Sequence, residues 1–368
     1  MKPMKLRAGC AVLDISNNGG NGVLKKTLIT CLKVAVTVLI LYLIFKKFQI
    51  GFVDILAAFQ QQPEWFAVSF LMQIGAVFFS IARWNTLLKG QDLNVPFPHI
   101  VKTFLVGRFL GTFTPTGIGL EAYKAYDIAR YTGRTGASIS VVLIEKMIGT
   151  FFSLSLLVLL TLPFFVDSFH PRFLVVFGVF FSILLILALT LLFSPNLFRY
   201  ALKFNLPMKN KIEQSLNRMI EAVTVYSRRR GNLLYAICLG LIVYFFWFLT
   251  YYFNSMALGA GLSLGDIFKV GPLTQIATMI PLSIAGIGLR EGAFMGLLDS
   301  LGVMQAASSV ERSAIMLSAT MVYFVSISVN IFGAVIFLLR RTDYKRNLAQ
   351  MAQVSAVEQV SERNTVKR

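Results

Sequence analysis

Pro281-Leu-Ser-Ile-Ala-Gly-Ile-Gly-Leu-Arg-Glu291 interrupts an apolar run that extends over about 268–298. Pro281 removes a backbone donor, and Gly286 and Gly288 favour a turn over a continuing helix. A second passage of the same kind, Phe113-Thr-Pro-Thr-Gly-Ile-Gly119, lies within the apolar run 103–120 and is broken at Pro115, Gly117 and Gly119. Irregular backbone at membrane depth survives only when it is buried in protein or lines a cavity. Both passages are therefore expected to form re-entrant helical hairpins, which enter a bilayer and return to the side they came from.

The surrounding sequence supplies that bilayer. Hydrophobic residues make up 56% of the 368 and charged residues 14%, against ~25% charged in a soluble globular chain. The mean hydropathy is +0.69. Six stretches, about 28–45, 64–85, 138–163, 173–195, 232–254 and 312–339, reach the ~20 apolar residues that a span requires. The expected fold is an all-α polytopic membrane protein of about six transmembrane helices and two re-entrant hairpins. With that topology, 25 Lys and Arg fall on the side of both termini and three on the other. This bias places both termini in the cytoplasm.

A net charge of +18 would point to nucleic acid in a soluble protein. Here its distribution accounts for it, and no nucleic-acid partner is expected. Residues 1–27 form a basic cytoplasmic segment, and the apolar run after them reads as a retained signal anchor. The membrane domain covers 28–340. Within it, the basic cytoplasmic loop 194–231 is expected to carry an amphipathic helix near 208–227 on anionic lipid. The tail 341–368 is polar and expected to be disordered. Cys10, Cys31 and Cys238 form no CxxC, and His99 and His170 lie too far apart in sequence to suggest a metal site. Neither a metal nor a cofactor is expected.

The two broken passages resemble each other. Each follows a span and precedes a helix expected to open with an acid–base pair, Glu145-Lys146 and Glu311-Arg312. The prolines and the pairs are both offset by 166 residues, so 64–163 and 232–339 read as inverted-topology repeats. Broken segments at matching positions of such repeats point to a transporter's midplane site.

Charges inside apolar segments need a partner or a function. Arg83 lies near the inner end of its span and either snorkels or faces the interior. Glu121 and Lys124, spaced i,i+3, share a helix face. Glu145 and Lys146 point ~100° apart, so one of them faces the hairpin. Arg290 and Glu291 start the returning helix of the second hairpin, where a carboxylate suits the positive helix end. The aromatic run Tyr244–Phe253 reads as packing or lipid-facing surface.

These elements resemble the flippase-like integral membrane family, also described as the transmembrane region of lysylphosphatidylglycerol synthases. The family pattern of Pro…Gly-Glu-x-x-Arg, a Glu-Arg pair and a late Pro…Gly-Gly-x-Gly-x-x-Glu is matched by three stretches. These are Pro115…Gly119-Leu120-Glu121-Ala-Tyr-Lys124, then Glu145-Lys146, then Pro281…Gly286-Ile-Gly288-Leu-Arg290-Glu291. The chain departs from the pattern by inserting Leu120 and by carrying Lys in place of Arg at 124 and 146. The resemblance covers about 25–340 and implies lipid handling in a bacterial plasma membrane.

Within this frame Arg108, Lys124, Lys146, Arg290 and Arg312 are expected to line a hydrophilic cleft between the hairpins, with Glu121, Glu145 and Glu291 among them. Several cations around one anion fit the head group of a phospholipid or a polyprenyl-phosphate-linked glycan, and free N–H groups after the glycine breaks favour a phosphate. The expected function is translocation of such an anionic lipid by alternating exposure of the cleft, with no enzymatic activity. The alternative is a transferase modifying a lipid head group, or the membrane partner of a separately encoded one.

Overall fold

The computed structural model describes residues 62–112, 114, 118–193, 223–226, 229–280 and 288–339. All regular structure among them is helical. Five helices are long and apolar enough to cross a membrane, and they coincide with five of the six expected spans. The sixth, 28–45, lies outside the described residues, as do Pro115, Gly117, Pro281 and Gly286.

In chain order the helices are α1 (Pro63–Gly90), α2 (Phe97–Thr112) and α3 (Ile118–Thr132). The rod α4 (Thr135–Phe165) follows, then α5 (Pro171–Phe193). The second half contains α6 (Arg230–Ala257), α7 (Leu264–Met279), α8 (Leu289–Ser300) and α9 (Ser309–Leu339). Lengths recur between the halves. Helices α1 and α6 both have 28 residues, α2 and α7 both have 16, and α4 and α9 both have 31. Each broken passage is thus a pair of short helices packed on each other, α2 with α3 and α7 with α8.

Helices α1 and α6 pack antiparallel along their length. Ser69 donates to the carbonyl of Thr250 (3.2 Å), and Gly75 faces the Phe246 ring so closely that a Cβ would stand 2.5 Å from it. Small residues at such crossings let helix backbones approach, which replaces the hydrophobic drive that lipid removes. The first helix of each short pair leans on the 31-residue helix of the other half: α2 on α9, and α7 on the late part of α4. The two largest apolar clusters among the described residues hold most of this frame. One gathers Trp84, Leu87, Ile100, Phe104, Ile128 and Ile148. The other gathers Phe248, Tyr251, Ile267, Phe294, Leu298 and Ile315.

Local chemistry sets the helix ends. Ser263 and Asp266 form a reciprocal capping box at the start of α7. Ser308 and Glu311 exchange the same pair of bonds ahead of α9, at 3.3 and 2.7 Å. At the far ends of α2 and α3, His99 Nε2 lies 2.9 Å from Asp127, which also accepts from Thr103.

One expectation needs correction. Glu145 and Lys146 do not open a helix. The chain turns at Gly133 (φ 70°), so α4 begins at Thr135 and the pair falls three turns inside it, whereas Glu311 and Arg312 do sit in the first turn of α9. The amphipathic helix near 208–227 lies mostly outside the described residues. Its described last turn packs on protein, since Val223 and Tyr226 are fully buried and the Tyr226 hydroxyl donates to the Leu87 carbonyl.

Candidate functional site

Immediately after Lys146, α4 widens into a π-helical segment, Met147–Leu154. Such segments leave backbone carbonyls free of the regular ladder. The carbonyl of Gly149 accepts here from the Tyr244 hydroxyl at 3.1 Å. Gly149 also makes room for the Arg83 guanidinium, since a Cβ there would lie 3.3 Å from its Nη1, and Gly240 lets α6 approach Ser153, whose Oγ would stand 2.8 Å from a Cβ. Arg83 thereby turns inward from α1 and donates to Glu145 Oε1 at 3.2 Å.

A ladder of charges starts from this pair. Glu145 Oε2 accepts from Lys124 Nζ. Lys124 lies 3.6 Å from Glu121, and Glu121 lies 3.9 Å from Lys146. Lys124 is 1% exposed and sits 4.8 Å from the Trp84 ring centroid and 5.2 Å from that of Phe104, where the ring faces add attraction for a cation. Charges buried to this degree persist only when paired and hydrogen-bonded. The ladder meets that condition for Lys124 and Glu145 and leaves Glu121 and Lys146 partly open.

In the second half, Gly288 adopts φ 84° at the N-terminus of α8, a conformation that a side chain would strain. Its N–H donates to Glu291 Oε2 at 2.6 Å. The other carboxylate oxygen of Glu291 accepts from Arg290 Nη2 at 2.8 Å. Glu291 therefore caps the helix and holds the arginine at once. Arg290 Nε is buried with no hydrogen-bond partner among the described residues, and its guanidinium lies 5.7 Å from the Tyr323 ring centroid. Arg108, on α2, donates from Nε to Asn330 of α9 (2.9 Å), and Asn330 donates in turn to Thr112 (2.9 Å). Arg108 makes no ion pair among the described residues.

Two adjoining cavities lie among these groups. The larger, about 700 Å³, is lined by Arg108, Glu121, Lys146 and Arg290 and by Trp247, Gln275, Met279 and Tyr323. The smaller, about 230 Å³, is lined by Arg83, Glu121, Glu145, Lys146 and Tyr244 and shares Trp247, Gln275 and Met279 with the first. Together they present four cations, Arg83, Arg108, Lys146 and Arg290, against two carboxylates, Glu121 and Glu145. Adding Lys124 and Glu291 behind them leaves the same excess of two positive charges.

Of the eight predicted site residues, Arg108, Glu121, Glu145, Lys146 and Arg290 line these cavities. Lys124 and Glu291 stand behind the wall as partners of lining groups. Arg312 is not brought to the site: it is exposed, and its Nε donates to the Ala307 carbonyl at 3.1 Å. Helix α9 starts well before its contacts with α2, so its first turn falls outside the cleft. Of the predicted hairpin breaks, Gly119 places its N–H 2.9 Å from the Thr114 hydroxyl, and Gly288 makes the turn described above. Sequence reasoning left Arg83 undecided and did not single out Asn330 or Gln275. Each is a polar residue within a strongly apolar helix, and that was the available signal. Tyr244 and Trp247 belong to the aromatic run expected to be packing or lipid-facing surface, yet they line the cavities, and nothing in the run marks those two. Among the described residues, no cluster of His, Cys, Asp and Glu could hold a metal ion.

Residues 30–328 match the family described as the lysylphosphatidylglycerol synthase TM region. The chain is also similar to a UPF0104 membrane protein of Pyrococcus horikoshii, with 23% identity over 65% of this chain and 78% of the relative. A second UPF0104 membrane protein, from Methanocaldococcus jannaschii, is 22% identical over 62% of this chain and 72% of its own length.

Proposed function

The chain belongs to the lysylphosphatidylglycerol synthase TM-region family, and we propose that it carries an anionic lipid across the plasma membrane through the cavities between its two short helix pairs. The observation that carries this reading is the excess of cations around a cavity of about 700 Å³, with Arg108, Lys146 and Arg290 on its wall and no ion pair to Arg108 among the described residues. A phosphodiester supplies what those groups lack, because charge-assisted hydrogen bonds to phosphate are about twice as strong as neutral ones. Ile118, Val142 and Leu143 line the same cavity and offer apolar surface to the chain region next to the head group.

The helix lengths support re-entrant hairpins. At 1.5 Å per residue, the 16 residues of α2 or α7 extend about 24 Å, less than the ~30 Å hydrocarbon core. Matched element lengths, antiparallel packing of α1 on α6 and the crossed docking of α2 and α7 favour inverted repeats. In that arrangement the positive-inside bias sets both termini in the cytoplasm, and alternating exposure follows from rocking one half against the other.

The test is translocation of fluorescent lipids in proteoliposomes. Arg108→Gln and Arg290→Gln should each slow a matched anionic phospholipid at least about tenfold, the loss expected for a hydrogen bond to a charged group. Wild-type protein that moves no anionic phospholipid and no polyprenyl phosphate would remove the proposal. The family's description favours one second reading, a membrane partner of a head-group transferase. Co-purification of such an enzyme with this protein would support it.

A further inference from the structure

Helix α4 is held by different neighbours along its length. Its first part, Thr135–Lys146, packs on α1 and α3, and a later part, Ser155–Thr161, packs on α5 and on α7 of the second half. Between them lies the π-helical segment Met147–Leu154, which packs on α5 and α6. Helix α9, of the same length, is regular α-helix from Ser309 to Leu339. When one half rocks against the other, the first part of α4 follows α1 and α3 while the later part is held by α7. A rigid rod cannot do both. Helices kink where their hydrogen-bond ladder is irregular, and π-helical segments are a recurrent place for it.

One side chain of α6 grips this segment by its backbone. The Tyr244 hydroxyl donates to the Gly149 carbonyl at 3.1 Å. Gly149 stands three residues after Lys146, and a Cβ on it would lie 3.3 Å from Arg83 Nη1. Arg83 in turn holds Glu145. A single turn of α4 thus joins a tyrosine of the second half to the charge ladder of the first. The ring of Tyr244 has its own support, since it packs near Phe248 (centroids 6.1 Å apart) and against the cluster of Leu154, Val158 and Phe181. The hydroxyl is therefore not needed to fill space, and its bond ties the segment to α6.

We infer that α4 bends at Met147–Leu154 as the cavities change sides, and that Tyr244 is a positioning residue that holds the bend through the Gly149 carbonyl. While the bond is made, Glu145 keeps its place in the ladder and Lys146 its place on the cavity wall. When it breaks, the later part of α4 moves with α7. A kink of about 20° at Ile148 would carry Leu160, roughly 18 Å further along the helix, by about 6 Å. This inference rests on the lipid-carrier reading and describes its movement.

The experiment reads that displacement without relying on transport. In the full-length protein with Cys10, Cys31 and Cys238 replaced by Ser, spin labels are attached to cysteines at Leu71 of α1 and Leu160 of α4, both exposed. Their separation is measured by pulsed electron resonance in nanodiscs of phosphatidylcholine, with and without phosphatidylserine as an anionic phospholipid. Two separations differing by about 3–6 Å are expected, in a ratio that the anionic lipid changes. Tyr244→Phe keeps the ring and removes one hydrogen bond, so it should change that ratio about fivefold. A variant that lowers the unfolding midpoint and leaves the ratio unchanged would reduce Tyr244 to packing and overturn its positioning role. A single separation in wild type and variant alike, with and without the anionic lipid, overturns the bend. Two separations in a protein that moves no fluorescent lipid would support the bend and remove the carrier.

Discussion

Lys124 sets an ammonium at 1% exposure between Glu145 and Glu121. Removing one member of a buried ion pair strands the other, at a cost of about 3 kcal/mol or more. Lys124→Met should therefore destabilise the protein by about 3 kcal/mol in denaturant unfolding in detergent. Adding Glu145→Gln to that variant should recover part of the loss. A double variant as unstable as the two single effects summed would show the pair to be uncoupled. Glu291 is a poor probe of transport by comparison. Its carboxylate caps α8 through Gly288, so its neutralisation disturbs the helix end as well as Arg290. The sequence made the charged residues of this site visible as costly intramembrane groups, but it could not separate lining groups from supporting ones. The partners of Arg83 and Arg108 are 62 and 222 residues away, and no spacing rule reaches that far.

The crossing of α2 and α9 bears on Arg108 directly. A Cβ on Gly333 would lie 2.1 Å from the Leu105 carbonyl oxygen, so any side chain there forces the helices apart. Gly333→Val should cost about 1–3 kcal/mol through overpacking and should slow lipid movement by displacing Asn330 from Arg108. At Gly296 in α8 no atom lies within 4 Å of where a Cβ would stand. Gly296→Ala should instead stabilise by about 0.5–1 kcal/mol through helix propensity. Opposite shifts in unfolding midpoint are the measurement, and equal shifts would contradict the tight crossing. Five spans were legible at this scale because an apolar run long enough to cross a bilayer has few other folds open to it. The place of Glu145 and Lys146 inside a span followed from the apolar run 138–163, but the start of its helix at Thr135 did not. The turn at Gly133 starts α4 at Thr135, through a stretch whose small polar residues do not announce a helix.

Across the whole molecule, the two halves repeat their element lengths with first helices packed antiparallel. The expected topology then puts the turn after α3 and the loop after α4 on opposite faces. In a background where Cys10, Cys31 and Cys238 are replaced by Ser, a cysteine at Asp167 should react with an impermeant maleimide in intact cells. One at Arg134 should react only after permeabilisation. Equal labelling of both in intact cells would contradict the orientation drawn from the charge bias.

The amino-acid sequence by itself determined the five spans among the described residues, the interruption of two apolar runs and the family, because hydropathy and backbone-breaking residues act within one or two turns of where they stand. Tertiary structure alone decided which charges are neutralised and which face a cavity. Arg83 reaches Glu145 past Gly149, where a Cβ would stand 3.3 Å from its Nη1, and Arg312 misses the site because of where α9 begins. Electrostatic pairing falls off with distance in space, and distance in space between residues far apart in the chain is set by packing.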